Sequence, residues 1–164
     1  MIVDAARDRR VFPLLLDCRL EQACLYSGPL NPALELAAPY LIQLEYEDGD
    51  TRRLLEQAWG NNWGVFLKSD TRMDKLRRHL QGFLLVLDPR GKRMVFRYYD
   101  PRVLRAYLPT CTVEELRTVY GPVECFWTED KAPETGLEFR FDKVKLATKR
   151  FSIDLPAATA RAAG

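Results

Sequence analysis

Histidine is nearly absent from this chain: His79 is the only one. A Ser, Cys or Thr nucleophile usually needs a base beside it, most often His, so nucleophilic catalysis would rest on a single side chain. His79 sits next to Leu80, at the margin of an apolar helix stripe, where a boundary histidine is the expected role. Gly-x-Ser-x-Gly, the P-loop pattern and Gly-x-Gly-x-x-Gly are missing too. No phosphate cradle is written in the chain, and no cofactor is expected. The four cysteines, Cys18, Cys24, Cys111 and Cys125, include no Cys-x-x-Cys pair, which leaves a zinc site without its usual close ligand pairs. Sequence alone leaves a disulfide open. With no signal peptide ahead of Met1-Ile2-Val3-Asp4, a reducing compartment and a role as small buried hydrophobes are the better reading. No apolar run approaches the roughly 20 residues of a membrane span, so the chain is expected to be cytoplasmic, with no membrane partner. Charge of one sign is lacking as well. The 25 Lys and Arg stand against 23 Asp and Glu, a net +2 that gives no long-range pull toward nucleic acid.

What is present suits one globular domain. The 164 residues fit a single core, and folding at this size buries roughly 70% of the unfolded surface. Short apolar runs alternate with capped helices. Residues 2–6 form a short strand, expected at an edge of a sheet or as the remnant of one. Residues 11–16 predict a helix with Pro13 near its start, and residues 23–28 a strand running into a turn. Asn31-Pro32 opens a short helix, followed by a strand over 40–45. After the polar turn at 47–50, Asp50 or Thr51 is placed to cap a helix running to Trp59, with Gly60 in the left-handed position behind it. A strand over 63–68 precedes a helix for which Ser69, Asp70 and Thr71 offer caps, and Met73, Leu76, Leu80 and Phe83 share its face. A hairpin turns at 88–91. Asp100-Pro101 opens another helix, and Thr112-x-x-Glu115 has the spacing of a capping box. Strands near 123–128 and 137–141 follow. The fold class is α/β (α+β): a single domain with a mixed β-sheet and short helices packed on it.

Two stretches concentrate aromatic and arginine side chains, the residue types that most often carry interface energy. One holds Trp59 and Trp63; the other holds Arg97, Tyr99, Asp100, Arg102, Arg105 and Tyr107. These eight are the candidate protein-binding residues. The tryptophans can equally fill the core, Asp100 can simply cap a helix, and a buried arginine would need an acid partner. No catalytic or metal-binding residue is assigned. A separate cluster, Glu45, Glu47, Asp48 and Asp50, is acidic enough to join an arginine in a small hydrolase or nucleotide-binding enzyme. Its setting at a glycine turn favours turn and cap roles.

The segments Leu14-Leu15-Leu16-Asp17, Ala23-Cys24-Leu25-Tyr26-Ser27-Gly28, Ala38-Pro39-Tyr40-Leu41, Trp59-Gly60-x-x-Trp63-Gly64-Val65-Phe66 and Phe96-Arg97-Tyr98-Tyr99-Asp100-Pro101-Arg102-Val103-Leu104, in this order, resemble the domain-of-unknown-function 4123 (DUF4123) family. The resemblance runs from Met1 to about Phe141. It implies a bacterial type VI secretion adaptor, or effector chaperone, that binds a secreted effector protein and promotes its loading onto the valine-glycine-repeat (VgrG) spike protein. Such a protein works by binding and is not an enzyme. An immunity-like toxin binder is a further alternative. On this reading residues 1–145 are the adaptor domain, and 146–164 a C-terminal strand remnant and flexible tail. The first strand is shorter than in many members.

Overall fold

The computed structural model describes residues 1–88 and 90–154, so Pro89 and the tail from Leu155 lie outside the described residues. Seven strands form one sheet in the order β2-β3-β1-β4-β7-β8-β9. They are β1 (Ile2–Asp4), β2 (Gln22–Cys24), β3 (Pro39–Ile42), β4 (Gly64–Lys68), β7 (Cys125–Glu129), β8 (Thr135–Phe141) and β9 (Leu146–Ser152). The helices are α1 (Val11–Asp17), α2 (Pro32–Glu35), α3 (Gly49–Ala58), α4 (Met73–Gln81), α5 (Pro101–Tyr107) and α6 (Val113–Tyr120), and β5 (Leu85–Leu87) with β6 (Arg93–Val95) makes a separate two-stranded ribbon. The domain is α+β, a sheet carrying short helices.

The short first strand is not at an edge. It pairs with β3 on one side (Ile2↔Leu41) and β4 on the other (Ile2↔Val65). Met1, Ile2 and Val3 are continuously apolar because this strand is covered on both faces. Alternation sends Ile2, Leu41 and Val65 to one core, with α4, α5 and α6, and sends Val3 and Ile42 to the other, with α1, α3 and Trp63, which lies just before β4. The layers are therefore helix, sheet, helix.

This central strand also explains the strand directions. Every pairing in the sheet is antiparallel. β3, α3 and β4 follow one another as in a parallel crossover, which is what strand–helix–strand alternation suggests, but β1 occupies the place between the two strands. Gly64 permits the close fit, since a Cβ there would lie 1.9 Å from the Ile2 carbonyl oxygen. Beyond the other flank, β8 and β9 pair over seven positions from Thr135↔Ser152 to Phe141↔Leu146, so the strand at the start of the 146–164 segment is a full edge strand.

Several helix starts follow the local chemistry. Asn31 Oδ1 accepts from the Leu34 amide at 2.9 Å, and Thr112 and Glu115 exchange both bonds of a capping box. Gly60 has φ +83°, the left-handed conformation expected behind α3. Two expectations fail. α3 is capped by Asp48, whose carboxylate accepts from the Thr51 amide at 2.8 Å, while the Thr51 hydroxyl accepts from the Glu45 amide. None of Ser69, Asp70 or Thr71 caps α4, which begins behind Arg72 without a side-chain cap. Ser69 instead donates to the Pro122 carbonyl at 2.8 Å, tying the end of β4 to the approach to β7.

Candidate protein-binding surface

Asp4, the last residue of the central strand, is buried although it ends an apolar run. Its carboxylate takes a hydrogen bond from the guanidinium of Arg97, contributed by the segment between β6 and α5. Asp100 is buried too and begins α5. Its Oδ1 accepts from the Arg102 amide and Arg102 Nε, both at 2.9 Å, and Oδ2 accepts from Arg102 Nη2 at 2.5 Å. Burial works to raise the Asp100 carboxyl, but the bonds from the Arg102 side chain and amide outweigh it and hold the group below its ordinary range. One turn later, Arg105 donates to the backbone carbonyl of Glu129 at the end of β7. The Glu129 side chain accepts from the Asn62 amide at 2.7 Å, and Arg7 reaches the Asn61 carbonyl at 3.4 Å.

Four arginines (7, 97, 102 and 105) thus stand over three buried acids (4, 100 and 129). Arg97 and Arg102 keep 45% and 50% of their side-chain surface exposed while bonded to acids that are almost fully covered. The inward groups fix the guanidinium planes and leave a cationic outer rim. Beside it, Phe96, Val103, Ala106 and Tyr107 line a shallow apolar hollow with Arg102 at its edge. Rigid arginines next to an apolar depression suit recognition of a surface that is acidic around an apolar centre.

Burial pushes the Glu129 carboxyl up to about 7, against the opposing pull of the Asn62 and Gly60 amides and the Arg105 and Arg7 charges. A carboxyl raised in the folded state favours folding below its unfolded pKa and loses that contribution as pH rises. The loss runs from the ordinary 4.5 to about 7 and reaches about 3 kcal/mol. Glu129→Gln keeps an acceptor for the Asn62 amide but removes the titration. In urea unfolding at a series of pH values the variant is expected to gain stability relative to wild type as pH rises across this window, and to be the more stable of the two at pH 8. A parallel pH slope in both proteins would refute the assignment.

The eight candidates divide sharply. Arg97 and Arg102 are exposed, and Arg105 and Tyr107 are half-buried; together they form the face. Tyr99 and Asp100 are buried beneath it and serve as support. Trp63 is 0% exposed and belongs to the core, with the Arg10 guanidinium 5.2 Å from its ring centre. Trp59 is half-buried, donates from its indole to the Pro133 carbonyl at 2.6 Å and packs on Phe66. Direct contact through Trp63, Tyr99 or Asp100 is therefore corrected to a structural role: each side chain is enclosed before a partner arrives. Asp4, Arg7 and Glu129 were missed. The available signal was the acid ending each of two strands that are otherwise largely apolar.

The acids at 45–50 do not join Arg97 or Arg102. Asp4 pairs with Pro39, at the opposite end of β3 from Ile42, after which those acids follow. Asp48 caps α3, Asp50 accepts from the Arg19 amide at 2.9 Å, and the two arginines serve Asp4 and Asp100. These acids therefore do not converge with Arg97 or Arg102 in one pocket; the guanidinium nearest them is that of Arg53, 4.0 Å from Asp50. His79 lies half-buried against Phe83, its Nε2 3.0 Å from the Val119 carbonyl. Another concavity, of about 530 Å³, opens at the Ile42 end of the sheet and is lined by Lys68, Asp70, Arg72 and apolar neighbours. Among the described residues, no group of three or more His, Cys, Asp or Glu is arranged to hold a metal, and no helix is long and apolar enough to cross a membrane. The four cysteines are free thiols.

The family profile described as "Domain of unknown function (DUF4123)" matches residues 1–118. The chain belongs to the DUF4123 family. The DUF4123 match takes in β1 to β4, both ribbon strands and α5, and therefore all eight candidates together with Asp4 and Arg7. It ends within α6, so Glu129 and the β7–β9 flank lie beyond it. No curated protein and no solved structure matches the chain.

Proposed function

We propose that this DUF4123 protein is a cytoplasmic type VI secretion adaptor that binds an effector and promotes its loading onto the VgrG spike. It acts by protein–protein binding and not by catalysis. The observation that carries the reading is the arginine rim fixed on buried acids beside the hollow on α5. Arginines prepositioned in this way lose little side-chain freedom on binding, which favours affinity from a small contact area.

Charge reversal of Arg102 would also strip Asp100 of its partner and confound binding with folding. Ala106 is exposed, lies in the hollow and makes no internal polar contact through its side chain. Ala106→Glu places an acid among the arginines without breaking an internal ion pair. With a candidate effector and a VgrG protein co-expressed with the chain, the folded variant is expected to recover at least one of them about ten-fold less well than wild type. Wild-type recovery of both by a variant with an unchanged circular dichroism spectrum would overturn the assignment of this face.

A further inference from the structure

The β5–β6 ribbon makes no pairing with the main sheet and exposes several large apolar side chains. Its register pairs Leu85 with Val95 and Leu87 with Arg93. Directly paired residues and those two apart share a face, so Leu85, Val95, Leu87 and Arg93 lie on one side. Leu85 and Leu87 are 59% and 67% exposed there. That side borders a groove of about 360 Å³ whose other walls come from Tyr26, Leu30, Leu34 and Leu84. Leu34, on α2, is exposed as well. The apolar strip thus runs from α2 across the groove to the ribbon.

Charge at the ribbon end of the strip is one-sided, while Glu35 stands at the α2 end. The ribbon and its turn carry Arg90, Lys92 and Arg93 against Asp88 alone. Asp88 is engaged internally: its Oδ1 accepts from the Arg90 and Lys92 amides at 2.9 and 2.8 Å. An apolar groove of this size accepts two or three leucine-sized side chains, and the cations beyond it favour acidic neighbours.

We infer that this groove docks a partner protein segment that is apolar on one side and carries acidic residues around that side. The surface is separate from the arginine face on α5 and does not depend on the function proposed for that face. Two independent docking surfaces would let one chain hold two partners at once.

The test uses the full chain and two fluorescein-labelled peptides of about 16 residues, both with leucines at helical spacing. One carries glutamate and the other lysine at the remaining positions. The acidic peptide is expected to bind at least about ten-fold more tightly, by fluorescence anisotropy at low salt. Leu85→Ser with Val95→Ser should weaken it about ten-fold, and Arg90→Glu with Arg93→Glu should reverse the preference between peptides. The charge pair alters only exposed side chains, so it stands as the test if the serine pair fails to fold. Ala106→Glu should leave binding of the acidic peptide unchanged, whether or not that substitution affects the α5 face. Equal binding of both peptides, indifference to the ribbon substitutions, or loss of binding in Ala106→Glu would overturn the inference. A dimer that the serine pair converts to monomer in sedimentation would overturn it in favour of a second copy of the chain.

Discussion

Trp63→Ala is expected to destabilise the fold by about 3–5 kcal/mol, the usual cost of truncating an aromatic side chain in a packed core. Trp63 lies immediately before β4 and packs with Val3, Val11, Leu15, Leu54 and Ala58, where α1 and α3 meet the central strand. Those neighbours come from three elements, β1, α1 and α3, and β1 is held between strands on both sides, so the site has little freedom to collapse. Domains of this kind are stable by about 5–15 kcal/mol, so the loss is a large fraction of the total. Guanidinium unfolding measures it directly; a change below about 1 kcal/mol would mean that the side chain is not enclosed. Trp63→Phe separates the core role from an interface role. It should fold, remain less stable than wild type and bind partners normally, whereas loss of binding by the folded Phe variant would return Trp63 to the interface.

Gly64→Ala should produce a comparable effect from a single methyl group. The added Cβ would meet the Ile2 carbonyl oxygen at 1.9 Å and the Ile2 carbonyl carbon at 2.9 Å. Both are backbone atoms of β1, and no side chain can swing aside to make room. Moving β1 away from β4 would press it on β3, with which Ile2, Val3 and Asp4 are already paired. Overpacking of this kind costs about 1–3 kcal/mol or more, and here the upper end is expected because the strand is confined on both flanks. A melting temperature lowered by roughly 10 °C would follow. Faster exchange of the Asp4 amide, which donates to the Trp63 carbonyl at 2.8 Å, would locate the damage. An unchanged melting temperature would contradict the close approach of these strands.

Gly136 offers a contrast within the same sheet. The nearest atoms to an added Cβ there all belong to the ring of Phe151, a side chain on the edge strand β9. A ring at an edge can rotate away, and a carbonyl between two paired strands cannot. The same added methyl group therefore carries different consequences at the centre and at the rim.

Local chemistry made much of the secondary structure legible. Asn31-Pro32, Asp100-Pro101 and Thr112-x-x-Glu115 satisfy helix amides within a few residues of themselves. Their signals therefore survive without knowledge of the fold. The choice of Asp48 over Asp50 or Thr51 was harder to anticipate, because three neighbouring side chains could all accept an amide hydrogen bond. It was settled by Thr51 turning back to the Glu45 amide. The central place of β1 was not legible, since a strand's neighbours depend on partners far along the chain, as in Ile2↔Val65.

The candidate surface was legible in outline but not in depth. Arginine density pointed to the segment at 97–107, and Arg97, Arg102 and Arg105 do share a face. Which side chains lie under that face depends on Asp4 and Glu129, which approach from other strands. Tyr99 and Asp100 sit next to exposed residues in sequence and are nevertheless enclosed. The hairpin at 88–91 was legible, but the exposure of its apolar residues was not: apolar runs in a short hairpin look alike whether a core covers them or not.

The central claim is that the chain holds a partner through the arginine face of α5, and hydrogen–deuterium exchange on the full chain with its co-purified partner tests it most directly. The account predicts slower exchange on complex formation in α5 and in the segment bearing Arg97. Unchanged exchange in both, with protection confined to other parts of the chain, would contradict it.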